Sequence, residues 1–257
     1  MDFWITLFIF ASCAIALLLG LKRMHSYRHQ LPRIYELRDS VTNPERPECY
    51  FKNLDASLSE MPGKLRHYRN LEATLQTLDK AAWLSLKSEV TPLITAHSQD
   101  RGWQALFDIL NHAKAYAHLK AIGCRNIEFI PPSLVSGQRI PDLQAEFQNL
   151  PLLCEVKTIN ISLDEATRRQ TGGVGTITDQ LSPGLFAKLT RVLTQAQIQL
   201  KAFSGTAPTS HMIFVVFNFD DFLHEYADRY TTQIQRYLAE NPTAGLDVVL
   251  EIKPPFG

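Results

Sequence analysis

Two acidic residues and a lysine form the clearest chemical pattern in this sequence. Pro141-Asp142 is followed, after twelve intervening residues, by Glu155-Val156-Lys157. Side chains alternate along a β-strand, so Glu155 and Lys157 are expected to project from one face while Val156 enters the core. If the two segments are strands that pair as a hairpin, Asp142 at the start of the first can approach Glu155 in the second.

Two carboxylates at that range form a hard oxygen site suited to Mg²⁺ or Mn²⁺. A lysine beside them can orient an attacking water and stabilise charge on a phosphate oxygen, and a bound metal would lower the pKa of that water. This set of groups suits hydrolysis of a phosphodiester. The ordinary interpretations are a turn cap for Asp142 and a weak, solvated ion pair for Glu155 and Lys157.

At these residues the chain resembles the PD-(D/E)xK nuclease superfamily, which has the restriction-endonuclease-like fold. The resemblance covers about residues 101–220 and implies a mixed sheet flanked by helices. It also implies Mg²⁺ or Mn²⁺ held by Asp142, Glu155 and the carbonyl of Val156, with Lys157 as the catalytic lysine. The implied partner is nucleic acid, and we expect DNA ahead of RNA.

The helices on either side of the motif are candidates for auxiliary groups. In the family the helix before the first strand often adds a Glu, but no Glu occurs between Trp103 and Gly123. Asp108 and His112, one turn apart, are the stand-ins, although an ordinary helix histidine is the competing interpretation of His112. The helix after the motif often adds a Gln or Lys, and we select Gln195 from a polar face that also holds Lys188, Arg191 and Gln199.

The pattern of apolar residues predicts the elements that must position these groups. A helix is expected over 103–122, then strands over 127–130, 139–147 and 152–158. A helix over 183–203, a strand over 211–219, a helix over 221–239 and a strand over 248–253 follow. The strand at 211–219 is almost continuously apolar, as in a central strand covered on both faces. This order predicts an α/β sheet with helices packed on it.

The N-terminal segment has the length and composition of a membrane anchor. Residues 3–21 hold no charged side chain and span roughly 28 Å as a helix. A cleaved signal peptide fits less well, because the only charge before the apolar run is Asp2 and no small-x-small cleavage site follows. Basic residues crowd the other flank and predict a single-pass protein with its N-terminus outside and its soluble part cytoplasmic: Lys22, Arg23, Arg28, Arg33 and Arg38.

We therefore predict three regions. Residues 1–21 are a transmembrane anchor, and residues 22–100 are a juxtamembrane stalk, linker and helical region. Within the second region, a short helix is expected at 31–38, an irregular linker after it, and one or two amphipathic helices over 64–94. Residues 101–257 are the PD-(D/E)xK nuclease-like domain.

Composition limits the classes of function. The chain has 26 basic and 26 acidic residues, so it has no overall basic surface of the kind common in nucleic-acid-binding proteins. The cysteines lack metal-binding spacing and are expected to be reduced thiols in the core or in the membrane: Cys13, Cys49, Cys124 and Cys154.

Three hypotheses of function remain open at this point. The first is a membrane-anchored, metal-dependent nuclease. The second is a catalytically inactive module of the same fold that acts as a membrane-tethered binding or scaffold protein. In the third, the helices over 64–94 bind a partner.

Other polar features have weaker support. Arg168, Arg169 and the glycine-rich loop 172–175 could approach a phosphate backbone, although a plain surface loop is favoured. Asp220-Asp221 is better explained as a helix start than as a metal site. Glu251-Ile252-Lys253 repeats the acidic-x-Lys pattern without a Pro-Asp partner and serves as a control.

Overall fold

The structure is a computed structural model of the 257-residue chain and describes residues 27–132, 139–160, 179–218, 226–243 and 245–252. Among the helices in these ranges, none combines the length and the apolar composition needed to cross a bilayer. Several features of the sequence lie outside the described residues: the predicted anchor at 1–21, Lys22, Arg23, Arg168, Arg169, the loop 172–175, Asp220, Asp221 and Lys253.

Helices precede the sheet and flank it on both sides. Local signals set several of their ends: Pro32 begins α1, Asp79 caps α4, and Ser182 caps α6 with Pro183 in its first turn. The helices are α1 (Pro32–Asp39), α2 (Leu54–Glu60), α3 (Pro62–Gln76), α4 (Lys80–Val90), α5 (Gln104–Ala121), α6 (Pro183–Ser204) and α7 (Ala227–Glu240), with a 3-10 turn at Thr91–Thr95.

A five-stranded mixed sheet lies between the flanking helices. Its spatial order follows the chain: β1 (Arg125–Phe129), β2 (Leu143–Phe147), β3 (Leu150–Asn160), β4 (Ser210–Asn218) and β5 (Asp247–Ile252). The first three strands pair antiparallel, whereas β3, β4 and β5 are parallel. The predicted α/β class and the order helix, three strands, helix, strand, helix, strand are confirmed.

Two hydrophobic clusters cover the two faces of the sheet. In β4, Met212, Phe214 and Val216 belong to the cluster on the α5 side. The alternate residues Ile213, Val215 and Phe217 pack on the other side, with α6 and α7. All six are buried, so the predicted central strand covered on both faces is confirmed.

The N-terminal helices pack into the cluster on the α5 side. Ile34 and Leu37 of α1 and Leu75 of α3 belong to the same buried set as Leu110 of α5. The domain boundary placed near residue 100 stays a prediction, and apolar residues from both sides of it share this core.

Segment 39–62, expected to be an irregular linker, contains α2. The prolines and charged residues of this segment are typical of a linker and do not predict a helix. The helix is stabilised by burial of Leu54 and Leu58. The expected irregular linker is therefore wrong for residues 54–60, because tertiary packing stabilises a helix there that local composition does not favour.

Three basic residues after the predicted anchor form hydrogen bonds or ion pairs with other residues of the protein. The guanidinium of Arg33 donates to the carbonyls of Leu75 and Leu78 at the end of α3 and lies over the Trp83 ring. Arg28 pairs with Asp39 at 2.6 Å. Arg38 likewise pairs with acidic side chains of the same region, Glu45 and Asp55.

Candidate functional site

A tight hairpin brings Asp142 and Glu155 to neighbouring positions on adjacent strands. Gln148 and Asn149 form the two-residue loop between β2 and β3, and both have positive φ (51° and 66°). Two left-handed residues make the type of turn that matches the twist of a hairpin. The loop sets the register so that Leu143 pairs with Cys154, which places Asp142 opposite Glu155.

The Asp142 carboxylate is fixed by the main chain of β3. Its Oδ2 accepts the Val156 N–H at 2.6 Å. The N–H and C=O of one strand residue point toward the same neighbouring strand. The Val156 carbonyl therefore lies on the Asp142 side, where the resemblance requires it for a metal ligand.

Glu155 is a buried carboxylate held by two side chains. The residue is 1% exposed in a strand that is otherwise apolar on this segment. Its Oε1 accepts a hydrogen bond from the Lys157 ammonium group. Its Oε2 accepts from Gln199 Nε2 at 2.7 Å, and the same amide donates to the Ile140 carbonyl at 2.6 Å.

These surroundings raise the pKa of Glu155 to about 7. Burial is the largest cause, and the negative charge of Asp142 adds to it. The charge and hydrogen bond of Lys157 act in the opposite direction, as does the hydrogen bond from Gln199. The site therefore holds two mutually repelling carboxylates whose repulsion a bound cation would relieve.

Of the two expected stand-ins on α5, His112 lies next to the carboxylates. Its Nε2 is 3.7 Å from Asp142 Oδ1, and its ring faces Phe129 with centroids 6.4 Å apart. Asp108, one turn earlier, accepts from Gln104 at 3.5 Å through Oδ2. Its Oδ1 is buried without a hydrogen-bond partner among the described residues.

A further carboxylate, missed in the sequence, comes from the N-terminal helices. Glu89 at the end of α4 is half-buried, and its pKa is raised by burial and by the charge of Asp142, while His112 lowers it. Because the charges of both Asp142 and His112 act on it, Glu89 lies near the candidate site. The sequence gives no indication of this proximity, because α4 ends more than fifty residues before Asp142, in a region assigned to another part of the fold.

The helix after the motif supplies Gln199 to the site. Gln195, the auxiliary selected from the sequence, is exposed one turn earlier on α6, and no described contact joins it to Glu155. Lys188 donates to the Asn160 carbonyl at 2.9 Å, beyond the carboxylates. The sequence predicted the polar face of α6. It did not predict which turn of that face contacts Glu155.

The donor set fits a hard divalent cation by its chemistry. Asp142, Glu155 and the Val156 carbonyl offer only oxygen atoms, the ligands preferred by Mg²⁺ and Mn²⁺. In the part of the chain that the structure describes, no set of three or more His, Cys, Asp and Glu side chains could hold a metal. The implied site has two side-chain ligands and one main-chain oxygen, so it contains fewer side-chain ligands than such a set.

The three cysteines within the described residues, Cys49, Cys124 and Cys154, are buried free thiols, as expected from their spacing. Burial raises the pKa of the Cys154 thiol, and the charges of Asp142 and Glu155 raise it further. Cys154 is therefore a core residue and not a nucleophile beside the carboxylates.

Comparisons of the chain with models of protein families, with curated proteins and with solved structures give no significant match. The interpretation of the site therefore depends on its residues, their geometry and the order of the elements around them.

Proposed function

We propose that this protein is a metal-dependent nuclease of the PD-(D/E)xK type that hydrolyses phosphodiester bonds of nucleic acid, with DNA as the expected substrate. The observation that carries the proposal is the juxtaposition of Asp142, Glu155 and Lys157 on one hairpin. The expected helix, strand, hairpin, helix and strand surround it. We interpret the fold as the restriction-endonuclease-like variety of the mixed sheet.

Each residue of the site has a role that follows from its contacts. The Lys157 side chain is 30% exposed, so its ammonium group can reach an attacking water or a phosphate oxygen. Glu155 fixes that ammonium group from the same strand. Gln199 is a positioning residue. Its amide donates hydrogen bonds both to the Ile140 carbonyl, two residues before Asp142, and to the Glu155 carboxylate, so it fixes the two relative to each other.

The proposed cofactor is Mg²⁺ or Mn²⁺, held by Asp142, Glu155 and the Val156 carbonyl. When bound, it supplies charge stabilisation at phosphate and a lower pKa for the attacking water. Because the pKa of Glu155 is about 7, this carboxyl group is partly protonated near neutral pH, and it would hold the cation in its ionised form. His112 lies close enough to Asp142 to restrict the position of that carboxylate.

A cleavage assay on the full chain in detergent tests the proposal. DNA and RNA, single- and double-stranded, would be incubated with Mg²⁺ or Mn²⁺ beside Glu155→Ala and Lys157→Ala. We expect metal-dependent cleavage that both variants lose while their circular dichroism spectra match the wild type. Cleavage retained by purified Glu155→Ala would exclude this site as its source.

A fragment that begins at residue 40 is unsuitable for this assay. It lacks α1, whose Ile34 and Leu37 are buried in the shared core. The fragment would also remove Arg33, which binds the end of α3.

We also propose that residues 1–21 anchor the protein in a membrane, with the remainder cytoplasmic. The support is the uncharged apolar stretch and the basic residues after it. Because Arg28, Arg33 and Arg38 have partners within the protein, Lys22 and Arg23 are the flanking cations assigned to the membrane surface. Protease digestion of intact cells should cut the remainder only after the membrane is opened, and digestion without opening would reverse the orientation.

One observation favours a non-catalytic module with the same fold. Both oxygens of Glu155 already have hydrogen-bond donors from the protein, which is an arrangement a degenerate site could adopt. Thermal unfolding with added Mn²⁺ separates the two functions. A cation site should raise the melting temperature by mass action, and Asp142→Asn should abolish the shift. No Asp142-dependent shift would favour the binding module.

A further inference from the structure

Three cations gather at the carboxyl end of β3. Lys188 of α6 donates to the carbonyl of Asn160, the last residue of the strand, at 2.9 Å. Arg191 follows three positions later and therefore lies on the same side of the helix. Arg101, which precedes α5, is near enough for its charge to lower the pKa of Lys188, after burial and Arg191. Arg101, Lys188 and Arg191 are called the basic cluster below.

The charges of the basic cluster are not neutralised by any acidic side chain that the structure describes. Within the described ranges, no carboxylate lies at ion-pair distance from Arg101, Lys188 or Arg191. Several other cations are neutralised in pairs: Arg28 with Asp39, Lys87 with Glu36, Lys114 with Glu251, Arg125 with Glu146, and Arg229 with Asp179. Three positive charges without an ion-pair partner among the described residues therefore lie close together near the carboxyl end of β3.

The basic cluster lies close to the proposed active site. Asn160 follows Lys157 by three residues on β3, which is about 10 Å along a strand. Consecutive phosphates of one strand are about 3.4 Å apart along the duplex axis and roughly twice that apart through space, so this distance corresponds to about one to two nucleotides. A strand whose scissile phosphate lies at Lys157 can therefore place further phosphates at the basic cluster.

We propose that Arg101, Lys188 and Arg191 bind the phosphodiester backbone of the nucleic acid to be cleaved at Asp142, Glu155 and Lys157. This inference rests on the proposed function. Charged side chains on a helix and the loop before another helix contact phosphates without regard to base sequence, so the basic cluster supplies affinity and position and not sequence specificity. Arg101 and Arg191 are exposed and can approach a ligand, while Lys188 ties the basic cluster to β3.

The test measures equilibrium binding of fluorescent duplex DNA, and of RNA of the same sequence, to the full chain in detergent with EDTA present. The variant is Arg101→Gln with Arg191→Gln, which spares the Lys188 hydrogen bond to β3. The matched control is Arg125→Gln with Arg229→Gln, which removes the same charge from two exposed, ion-paired positions.

We expect the basic-cluster variant to bind DNA at least about tenfold more weakly at moderate salt. The slope of log affinity against log salt should fall in magnitude by about 2, because two phosphate contacts are lost. The control should bind as the wild type does. A greater loss for RNA than for DNA would make RNA the source of the backbone.

Unchanged binding in the basic-cluster variant, or an equal loss in the control, would overturn the inference. So would a variant that binds nucleic acid normally but loses binding to vesicles of anionic phospholipid, because the basic cluster would then face lipid. Failure of the proposed function has a different signature: binding would depend on the basic cluster, yet no divalent metal would produce cleavage that Glu155→Gln abolishes.

Discussion

The same three-residue pattern occurs twice in this chain, and the two copies have different surroundings. Glu155 lies in β3, with a side chain 2% exposed and hydrogen bonds from Lys157 and Gln199. Glu251 lies in β5, with a side chain 35% exposed and an ion pair to Lys114 of α5. One carboxylate is buried beside another acid, while the other is neutralised by a cation from a neighbouring helix.

The difference comes from the position of each strand in the sheet. β3 has neighbours on both sides, and the hairpin partner β2 is preceded by Asp142. Among the described strands, β5 is at the edge and pairs only with β4, so no described hairpin brings a second carboxylate to Glu251. The chemistry available to an acidic-x-Lys pattern thus depends on the residues that the neighbouring strand places beside it.

The largest effect should come from removing the partner that distinguishes the two copies. Asp142→Ala removes one proposed ligand and the acceptor of the Val156 N–H. We expect the rate of metal-dependent cleavage to fall by about a hundredfold or more, on the scale of a lost ligand. Glu251→Ala is the matched control and should stay within about twofold of wild type. Equal losses in the two variants would remove the functional distinction between the copies.

The second prediction concerns pH. Glu155 has a pKa of about 7 in the folded protein, above its ordinary value of 4.5, so the fold favours the protonated form. This contribution to stability is fully present below pH 4.5 and is lost as pH rises through 7, by an amount on the order of 3 kcal/mol. Urea unfolding of metal-free protein at pH 5 and pH 8 measures it.

Two variants test whether the pH dependence of the unfolding free energy comes from Glu155 or from Glu251. Glu155→Gln does not titrate and should show a smaller fall in unfolding free energy between pH 5 and pH 8 than the wild type. Glu251→Gln should keep the wild-type fall. If Glu155→Gln loses as much stability as the wild type, other groups cause the pH dependence.

A smaller effect is expected from Gln199, the residue that ties α6 to Glu155. Gln199→Ala leaves the Ile140 carbonyl and Glu155 Oε2 without this donor, and we expect cleavage to fall about tenfold through looser positioning. Gln195→Ala, on an exposed turn of the same helix, is the control and should have little effect. A larger loss of cleavage in Gln195→Ala than in Gln199→Ala would instead support Gln195, the auxiliary residue predicted from the sequence.

The smallest effect should be on stability at the second copy. Glu251→Ala removes a partly exposed ion pair with Lys114, whose loss should cost about 1 kcal/mol of unfolding free energy or less. Chemical denaturation measures this cost. A loss several times larger would mean that Glu251 is as integral to the fold as a buried carboxylate.

The sequence predicted most of the sheet because local patterns determine it. The apolar run at 211–219 identified the central strand, and the turn between 147 and 150 is short enough to fix the hairpin register once both strands form. Register then makes Asp142 and Glu155 neighbours without help from the rest of the fold. The segment containing α2 was missed because its composition is that of a linker and only burial of Leu54 and Leu58 explains the helix.

Sequence patterns alone predict the strands and their order along the chain, and they suggest the hairpin that brings Asp142 close to Glu155. Long-range packing sets which turn of α6 reaches Glu155, brings Glu89 of α4 near Asp142 and His112, and directs Arg33 to the end of α3. The two kinds of feature depend on interactions of different range along the chain. Side-chain alternation and tight turns act over a few residues, whereas the partners of a charge and the rotation of a helix over a sheet depend on groups far away in the chain.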